Sequence, residues 1–95
     1  MKRVLVANRG EIALRIIRGC REEDIEAVAV YSDADAGSPH VESADIAVHL
    51  GGNAPHESYL NIDRLIDAAK STGSDAIHDV DFVAARGHGN AFYKK

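Results

Sequence analysis

Two short stretches place chemistry-bearing side chains where a fold can use them. Asn8-Arg9-Gly10 follows the apolar run Val4-Leu5-Val6-Ala7 and opens a segment of helical periodicity, and His78-Asp79 follows the shorter run Ala76-Ile77. In open parallel sheets, turns at the carboxyl ends of strands carry the ligand sites. A turn that feeds a helix N-terminus also offers free amides to a phosphate. One glycine stands here, where a dinucleotide loop of the form G-x-G-x-x-G needs three. Glu11 puts a carboxylate at the helix start, where it complements the dipole itself. Asn8, Arg9, Gly10 and His78 are therefore read as the edge of a cleft, with no nucleotide expected at the turn and no catalytic, cofactor-binding or metal-ligating residue assigned to this chain.

Other polar residues take plainer readings. Asp33 and Asp35 fall where a ribose-binding acid would sit, but without the glycine loop they read as a solvated acidic turn. His78, Asp79, Asp81 and His88 match no standard metal-ligand spacing. His40, His49 and His56 are scattered over separate elements, and Cys20, the only cysteine, reads as small core filler. On the first helical segment Arg15, Arg18 and Glu22 follow an i, i+3, i+7 line. One reading is a solvated face with an Arg18–Glu22 pair worth a few tenths of a kcal/mol. The other is an isologous contact, in which a second copy offers Glu22 to Arg18 or Arg15 across a twofold axis. Periodicity leaves both open.

The elements that would position these residues alternate. Val4–Ala7 and Ile25–Tyr31 are continuous apolar runs, as expected for strands buried on both faces of a parallel sheet. Between them, Ile12, Ile16 and Cys20 recur every four residues with Ala13 and Ile17 alongside, predicting an amphipathic helix over Glu11–Glu23. Ser38 before Pro39 reads as the cap of a short helix. Ile46–Leu50 reads as a third strand stopped by Gly51-Gly52. Ser58 reads as the N-cap of a helix with Leu60, Ile62, Leu65, Ile66 and Ala69 on its apolar face and Gly73 as its stop. Ala76-Ile77-His78 reads as a fourth strand. The class is α/β, an open parallel sheet of about four strands with helices on both faces. Right-handed crossovers put the second and third strands on one side of the first and the fourth on the other. The topological switch point then lies between strands one and four.

Composition narrows the function. The net charge is −4, but residues 1–21 carry six basic side chains and one acid, whereas Glu22 to Asp81 holds fourteen acids against Arg64 and Lys70. Only the first helix offers a basic face, so no nucleic-acid partner is expected. No apolar run approaches a bilayer span, and Met1-Lys2-Arg3 leads straight into a strand, so no membrane contact and a cytoplasmic location are expected. The tail from Asp79 to Lys95 has no clean period and is expected to form a partly disordered or loosely packed arm outside a domain at 1–78.

The blocks "KRVLVANRGEIALRIIRGCRE", "IEAVAVYSDADA", "HVESADIAVHLGG" and "ESYLNIDRLIDAAKSTGSDAIH" closely resemble, in order, the N-terminal domain of biotin carboxylase, a component of acetyl-CoA, propionyl-CoA, methylcrotonyl-CoA and pyruvate carboxylases. The resemblance runs from Lys2 to His78 and implies a Rossmann-like pre-ATP-grasp domain. It also implies membership of an ATP-dependent ligase that carboxylates biotin with bicarbonate, using ATP, magnesium and biotin held by the full-length enzyme and none of them by this chain. The expected partners are the ATP-grasp and C-terminal domains of a parent carboxylase, a biotin carboxyl carrier protein indirectly, and a second copy. The family's dimer contacts on the first helix correspond to Arg15, Arg18 and Glu22, all retained.

The match stops after the fourth strand. The family continues His-Pro-Gly-Tyr-Gly-Phe-Leu-Ser-Glu-Asn into another helix and strand, whereas His78 is followed by Asp79-Val80-Asp81-Phe82-Val83. The 95 residues read as a fragment or a shortened relative that is inactive alone, with a stand-alone interaction module as the alternative. A small nucleotide-binding Rossmann enzyme fits the alternation but lacks the loop.

Overall fold

A computed structural model describes residues 2–54 and 57–79 in full and, as backbone, the strands at 83–86 and 92–94. In chain order the elements are β1 (Arg3–Val6), α1 (Gly10–Glu22), β2 (Glu26–Ser32), α2 (Pro39–Ser43), β3 (Ile46–Gly51), α3 (Ile62–Thr72), β4 (Ala76–His78), β5 (Val83–Arg86) and β6 (Phe92–Lys94), with a 3₁₀ turn at Asp33–Asp35. The sheet order is β3-β2-β1-β4-β5-β6. β1, β2, β3 and β4 are mutually parallel, with Leu5 opposite Val28 on one side and Ile77 on the other. The four-stranded parallel sheet and its switch point lie where the crossover rule puts them. Beyond it, β5 and β6 extend the sheet by antiparallel pairing, His78 opposite Val83 and Arg86 opposite Phe92. The sheet is therefore mixed and six-stranded, two strands larger than the alternation predicts. Residues 80–82 and 87–91, with Asp81 and His88, lie outside those described.

Strand alternation splits the core into two layers. Leu5, Val28, Val30 and Ile77 point to the face covered by α3, against Leu65, Ala68 and Ala69. Val4, Val6, Ala27 and Ala29 point to the face covered by α1, against Ala13, Ile17 and Cys20. The alanines let α1 sit close to the sheet, and the larger residues fill the α3 side opposite that helix's own alanines. Cys20 is buried here as core filler, and burial, with the charge of Asp45 added, pushes its thiol pKa up.

Two helices differ in detail from the sequence pattern. The buried stripe of α1 is Ala13, Leu14, Ile17 and Cys20, while Ile12 is 51% exposed and stands off the sheet. α3 begins at Ile62, not after Ser58. Asn61 is its N-cap, accepting from the Arg64 amide at 3.1 Å, and Ser58 is fully buried in the turn before it, donating to the Ala54 carbonyl at 3.4 Å. Leu60 and Ile62, expected on the packing face, are 65% and 49% exposed. Gly73 ends α3 at φ 69°, with the amides of Ser74 and Gly73 returning to the carbonyls of Ala69 and Lys70. The same two-bond closure ends α1, where Ile25 and Asp24 return to Cys20 and Arg21, but Asp24 occupies the left-handed position, at φ 57°.

Candidate functional site

The carboxyl ends of β1, β2 and β4 meet at one edge of the sheet, together with the N-termini of α1 and α3. The Ala7 amide donates to the His78 carbonyl at 2.8 Å and ties the ends of β1 and β4 together. The chain then leaves β1 through Asn8, which is 7% exposed, and extended Arg9, and enters α1 at Gly10 with φ 65°. A Cβ at Gly10 would meet no neighbouring atom, so the backbone angle, not space, is what asks for glycine there. Asn8, Arg9, Gly10 and His78 thus sit together at the switch point.

Arg9 is held by residues from two other segments. Its guanidinium donates to Asp35 Oδ1 at 2.8 Å and lies 5.1 Å from the centre of the Tyr59 ring. The Tyr59 hydroxyl donates to Asp35 Oδ2 at 2.5 Å and accepts from the Ser32 amide at 3.3 Å. Asp35 is therefore not a solvated acid as its turn suggests: its side chain is 13% exposed, and both oxygens are engaged. Burial works to raise its pKa, but the hydrogen bonds from Tyr59 and Arg9, with the charge of Arg9, outweigh it and hold the carboxyl below its ordinary value. Tyr59 is pushed up to about 12, first by burial and then by its bond to the Asp35 carboxylate. Asp33 does meet solvent, pairing with His49 Nε2 at 2.5 Å, and Asn53 Oδ1 accepts from the Ala34 amide at 2.8 Å. Tyr59 escapes sequence reasoning because a tyrosine 50 residues beyond Arg9 has no spacing relation to it; the only signal is its place in the block "SYLNID".

Two clefts flank Arg9. One, of about 250 Å³, lies between the first turn of α1 and α2, with Glu11, Leu14, Asp35 and Pro39 in its wall. His40 also lines it but is 1% exposed, and neither ring nitrogen makes a well-formed hydrogen bond among the described residues. Burial lowers the His40 pKa; the Val30 backbone and the Asp35 charge oppose that, and Arg9 adds to it. The second cleft, of about 220 Å³, lies between Asn8 and Ile12 on one side and Tyr59 and Leu60 on the other. Among the described residues no cluster of His, Cys, Asp or Glu is arranged to hold a metal ion. His40, His49 and His78 stand on separate elements, and His56 lies outside the described residues. On the other side of α1, Arg15, Arg18 and Glu22 are exposed and turned away from the sheet, and among the described residues no ion pair joins Arg18 to Glu22. Among the described residues no helix is long and apolar enough to cross a membrane.

A sheet with four parallel strands and two antiparallel ones, a one-glycine turn at the carboxyl end of β1 and no glycine-rich phosphate loop define a domain of the open α/β class. Comparison with known proteins makes the assignment specific. Residues 1–80 match the model of the biotin carboxylase N-terminal domain. Biotin carboxylase 1 of Bacillus subtilis is 56% identical over 78 residues, covering 82% of this chain and 17% of that protein. The alpha subunit of mitochondrial methylcrotonoyl-CoA carboxylase from rice, Oryza sativa subsp. japonica, is 56% identical over 78 residues, covering 82% of this chain and 11% of the subunit. The structure of urea carboxylase from Kluyveromyces lactis superposes with a TM-score of 0.78 at 53% identity, over 80% of this chain and 7% of that one. The biotin carboxylase domain of a thermophilic 2-oxoglutarate carboxylase, solved with bound ADP, gives a TM-score of 0.75 at 48% identity, over 81% of this chain and 17% of that one. The chain belongs to the biotin carboxylase N-terminal domain family, and it spans less than a fifth of the curated relatives it matches.

Proposed function

We propose that this chain serves as the N-terminal domain of an ATP-dependent biotin carboxylase, forming one wall of the active-site cleft and part of a dimer interface without itself holding ATP, magnesium or biotin. The observation that carries the reading is the family match over residues 1–80, which ends where β4 reaches the carboxyl edge. The chemistry falls to the ATP-grasp and C-terminal domains of the parent enzyme. A phosphoryl transfer needs a cation clamp on the triphosphate and carboxylates for the metal, and the edge described above supplies one guanidinium, already paired to Asp35. Asn8, Arg9, Gly10 and His78 shape the cleft rim on this reading. Arg15, Arg18 and Glu22 face a second copy, the biotin carboxyl carrier protein is met through the other domains, and the site of action is the cytoplasm. Residues 1–78 form the working domain, and 79–95 form a divergent arm whose strands β5 and β6 extend the sheet of that domain.

A chimera tests this. Residues 1–78 replace the matching domain of Bacillus subtilis biotin carboxylase 1, and bicarbonate-dependent ATP hydrolysis with free biotin is measured. The chimera should keep activity within roughly ten-fold of the parent, about 1.4 kcal/mol of barrier, while the 95-residue chain alone hydrolyses no ATP. A folded chimera without activity would overturn the reading. The second reading, a module that pairs with itself or with a full-length carboxylase, draws on the unpaired charged stripe of α1.

A further inference from the structure

His40 is the one residue of α2 that is fully buried. Among the described residues neither of its ring nitrogens has a well-formed hydrogen bond, and the Val30 backbone of β2 gives the ring only a poorly aligned contact. A neutral imidazole tolerates such a site at modest cost. An imidazolium brings a charge and two N–H donors, and a buried charge without hydrogen-bonded partners is expensive. The charged groups packed around the ring do not relieve that cost. Asp35, in the 3₁₀ turn, attracts a proton to the ring, but its two oxygens are already taken by Arg9 and Tyr59. Arg9, in the turn after β1, repels one. From α1, Glu11 stands in the wall of the same cleft and Arg21 donates to the Ser43 carbonyl at the far end of α2, and α2 itself carries Glu42. Histidine is the side chain of this set whose ordinary charge change falls between pH 5 and 8.

The segment that carries His40 is built to open by itself. α2 has five residues, too few for a helix to hold without tertiary support, and Ser38 at its N-cap makes no side-chain bond. It contributes no strand to the sheet. Its flanks, by contrast, are pinned. Asp35 is held by Arg9 and Tyr59 on one side. On the other, the Asp45 amide donates to the Ala27 carbonyl at 3.0 Å and the Asp45 carboxylate accepts from the Ala27 amide at 2.8 Å. Between these anchors, Ser38, Pro39 and His40 form one wall of the cleft of about 250 Å³, opposite Glu11 and Leu14 of α1. We propose that residues 37–44 are a proton-released flap: uptake of one proton from solvent by His40 holds the ring in water, lifts α2 from α1 and opens this cleft, while the sheet and the Arg9–Asp35–Tyr59 cluster stay in place. Loss of the proton lets the neutral ring return and closes the flap. The device does not depend on the biotin carboxylase reading and goes beyond it, giving one cleft of this domain a wall that responds to pH.

Amide hydrogen exchange of the 95-residue chain, read residue by residue by NMR and corrected for the intrinsic effect of pH on exchange, tests the flap. The Glu42 amide, bonded to the Ser38 carbonyl at 3.0 Å, reports α2; the Asp45 amide reports its anchor, and amides of β1 and β2 report the core. Opening at Glu42 should exceed opening of the core at least ten-fold at both pH 7.5 and pH 5.5. It should also rise by up to about ten-fold between those values, the factor for one histidine of ordinary pKa in the open state taking up a proton. Asp45 should follow the core. Global unfolding exposes His40 as well, so the excess of Glu42 over the core identifies a local opening, and the pH dependence ties that opening to the ring. His40→Gln should remove the rise at Glu42, whereas Glu11→Gln, on the facing wall of the cleft, should leave it intact. Equal opening at Glu42 and in the core at pH 5.5 would overturn the proposal in the unmodified chain, with no variant needed, and so would an opening at Glu42 that does not change with pH. A rise that persists in His40→Gln, or vanishes in Glu11→Gln, would overturn it by assigning the opening to another group.

Discussion

Asp35 illustrates how one side chain can organise an edge that three separate segments build. Its carboxylate takes the Arg9 guanidinium on one oxygen and the Tyr59 hydroxyl on the other, so removing either donor leaves a charge that is largely out of water. Tyr59→Phe also strips the Ser32 amide of its acceptor. The expected loss is about 1–2 kcal/mol, since unsatisfied partly buried groups cost that much, and urea denaturation at pH 7 measures it. A second residue gives a pH dependence of definite sign. His40 is buried and its pKa lies below the ordinary histidine value, so the unfolded chain binds a proton more readily than the folded one. Stability from this site is complete above the unfolded pKa of about 6.5 and falls as the pH drops below it towards the lower folded value. The urea midpoint should therefore decline between pH 7.5 and 5.5, and His40→Gln should flatten most of that decline. An unchanged slope in the variant would show that other groups control it. Asp35 acts lower on the scale: its folded pKa is depressed, so its contribution is present above a pH of about 3.9 and is lost as the pH falls through the folded value.

At the scale of elements, the helix ends provide the sharpest comparison. Gly73 and Asp24 occupy the same left-handed position in the same closure, and only the glycine escapes the Cβ clash. Asp24→Gly should stabilise the domain by roughly 0.5–1 kcal/mol and Gly73→Ala should destabilise it by about 1 kcal/mol or more. Thermal melts of the two variants at fixed pH would show shifts of opposite sign. The four parallel strands and their order were legible in the sequence because β1 and β2 are buried on both faces, and continuous apolar runs such as Val4–Ala7 have few other uses. The start of α3 was not legible, because Ser58 and Asn61 are both good caps. What selects Asn61 is the burial of Ser58 in the preceding turn, a tertiary fact. The α1 stripe was misread at Ile12, which is exposed, and left out Leu14, which is buried, since the helix meets the sheet through Ala13, Leu14 and Ile17. The Arg9–Asp35–Tyr59 cluster joins segments 24 and more residues apart, which no periodicity records. β5 and β6 are short, and nothing in their residues distinguishes an antiparallel edge from a loop.

For the molecule as a whole, the charge asymmetry of the sequence becomes a geometric statement. The basic residues Arg15 and Arg18 and the acid Glu22 lie on the outer face of α1, away from both the carboxyl edge and the core. Within one protomer Arg18 and Glu22 do not pair, although they are one helical turn apart. A twofold axis near the middle of that stripe would set Arg18 of each copy against Glu22 of the other, giving the same contact twice. Exposed pairs are worth about 0.2–1 kcal/mol each, so two of them steer an association without making it tight, and salt should weaken it. Sedimentation velocity over a concentration series should show reversible dimers at low ionic strength. Arg18→Glu, which sets four acids around the axis, should raise the dimer Kd by roughly ten-fold, about 1.4 kcal/mol. The exchange variant Arg18→Glu with Glu22→Arg should bring it back, because the isologous geometry pairs the swapped charges as well as the original ones. Recovery in the exchange variant separates a specific twofold contact from a general charge effect, since net charge alone distinguishes Arg18→Glu from the original chain but not the exchange variant from it. A chain that stays monomeric at every concentration and salt, or an exchange variant as weak as Arg18→Glu, would remove the stripe as a self-association surface and leave it a solvated helix face.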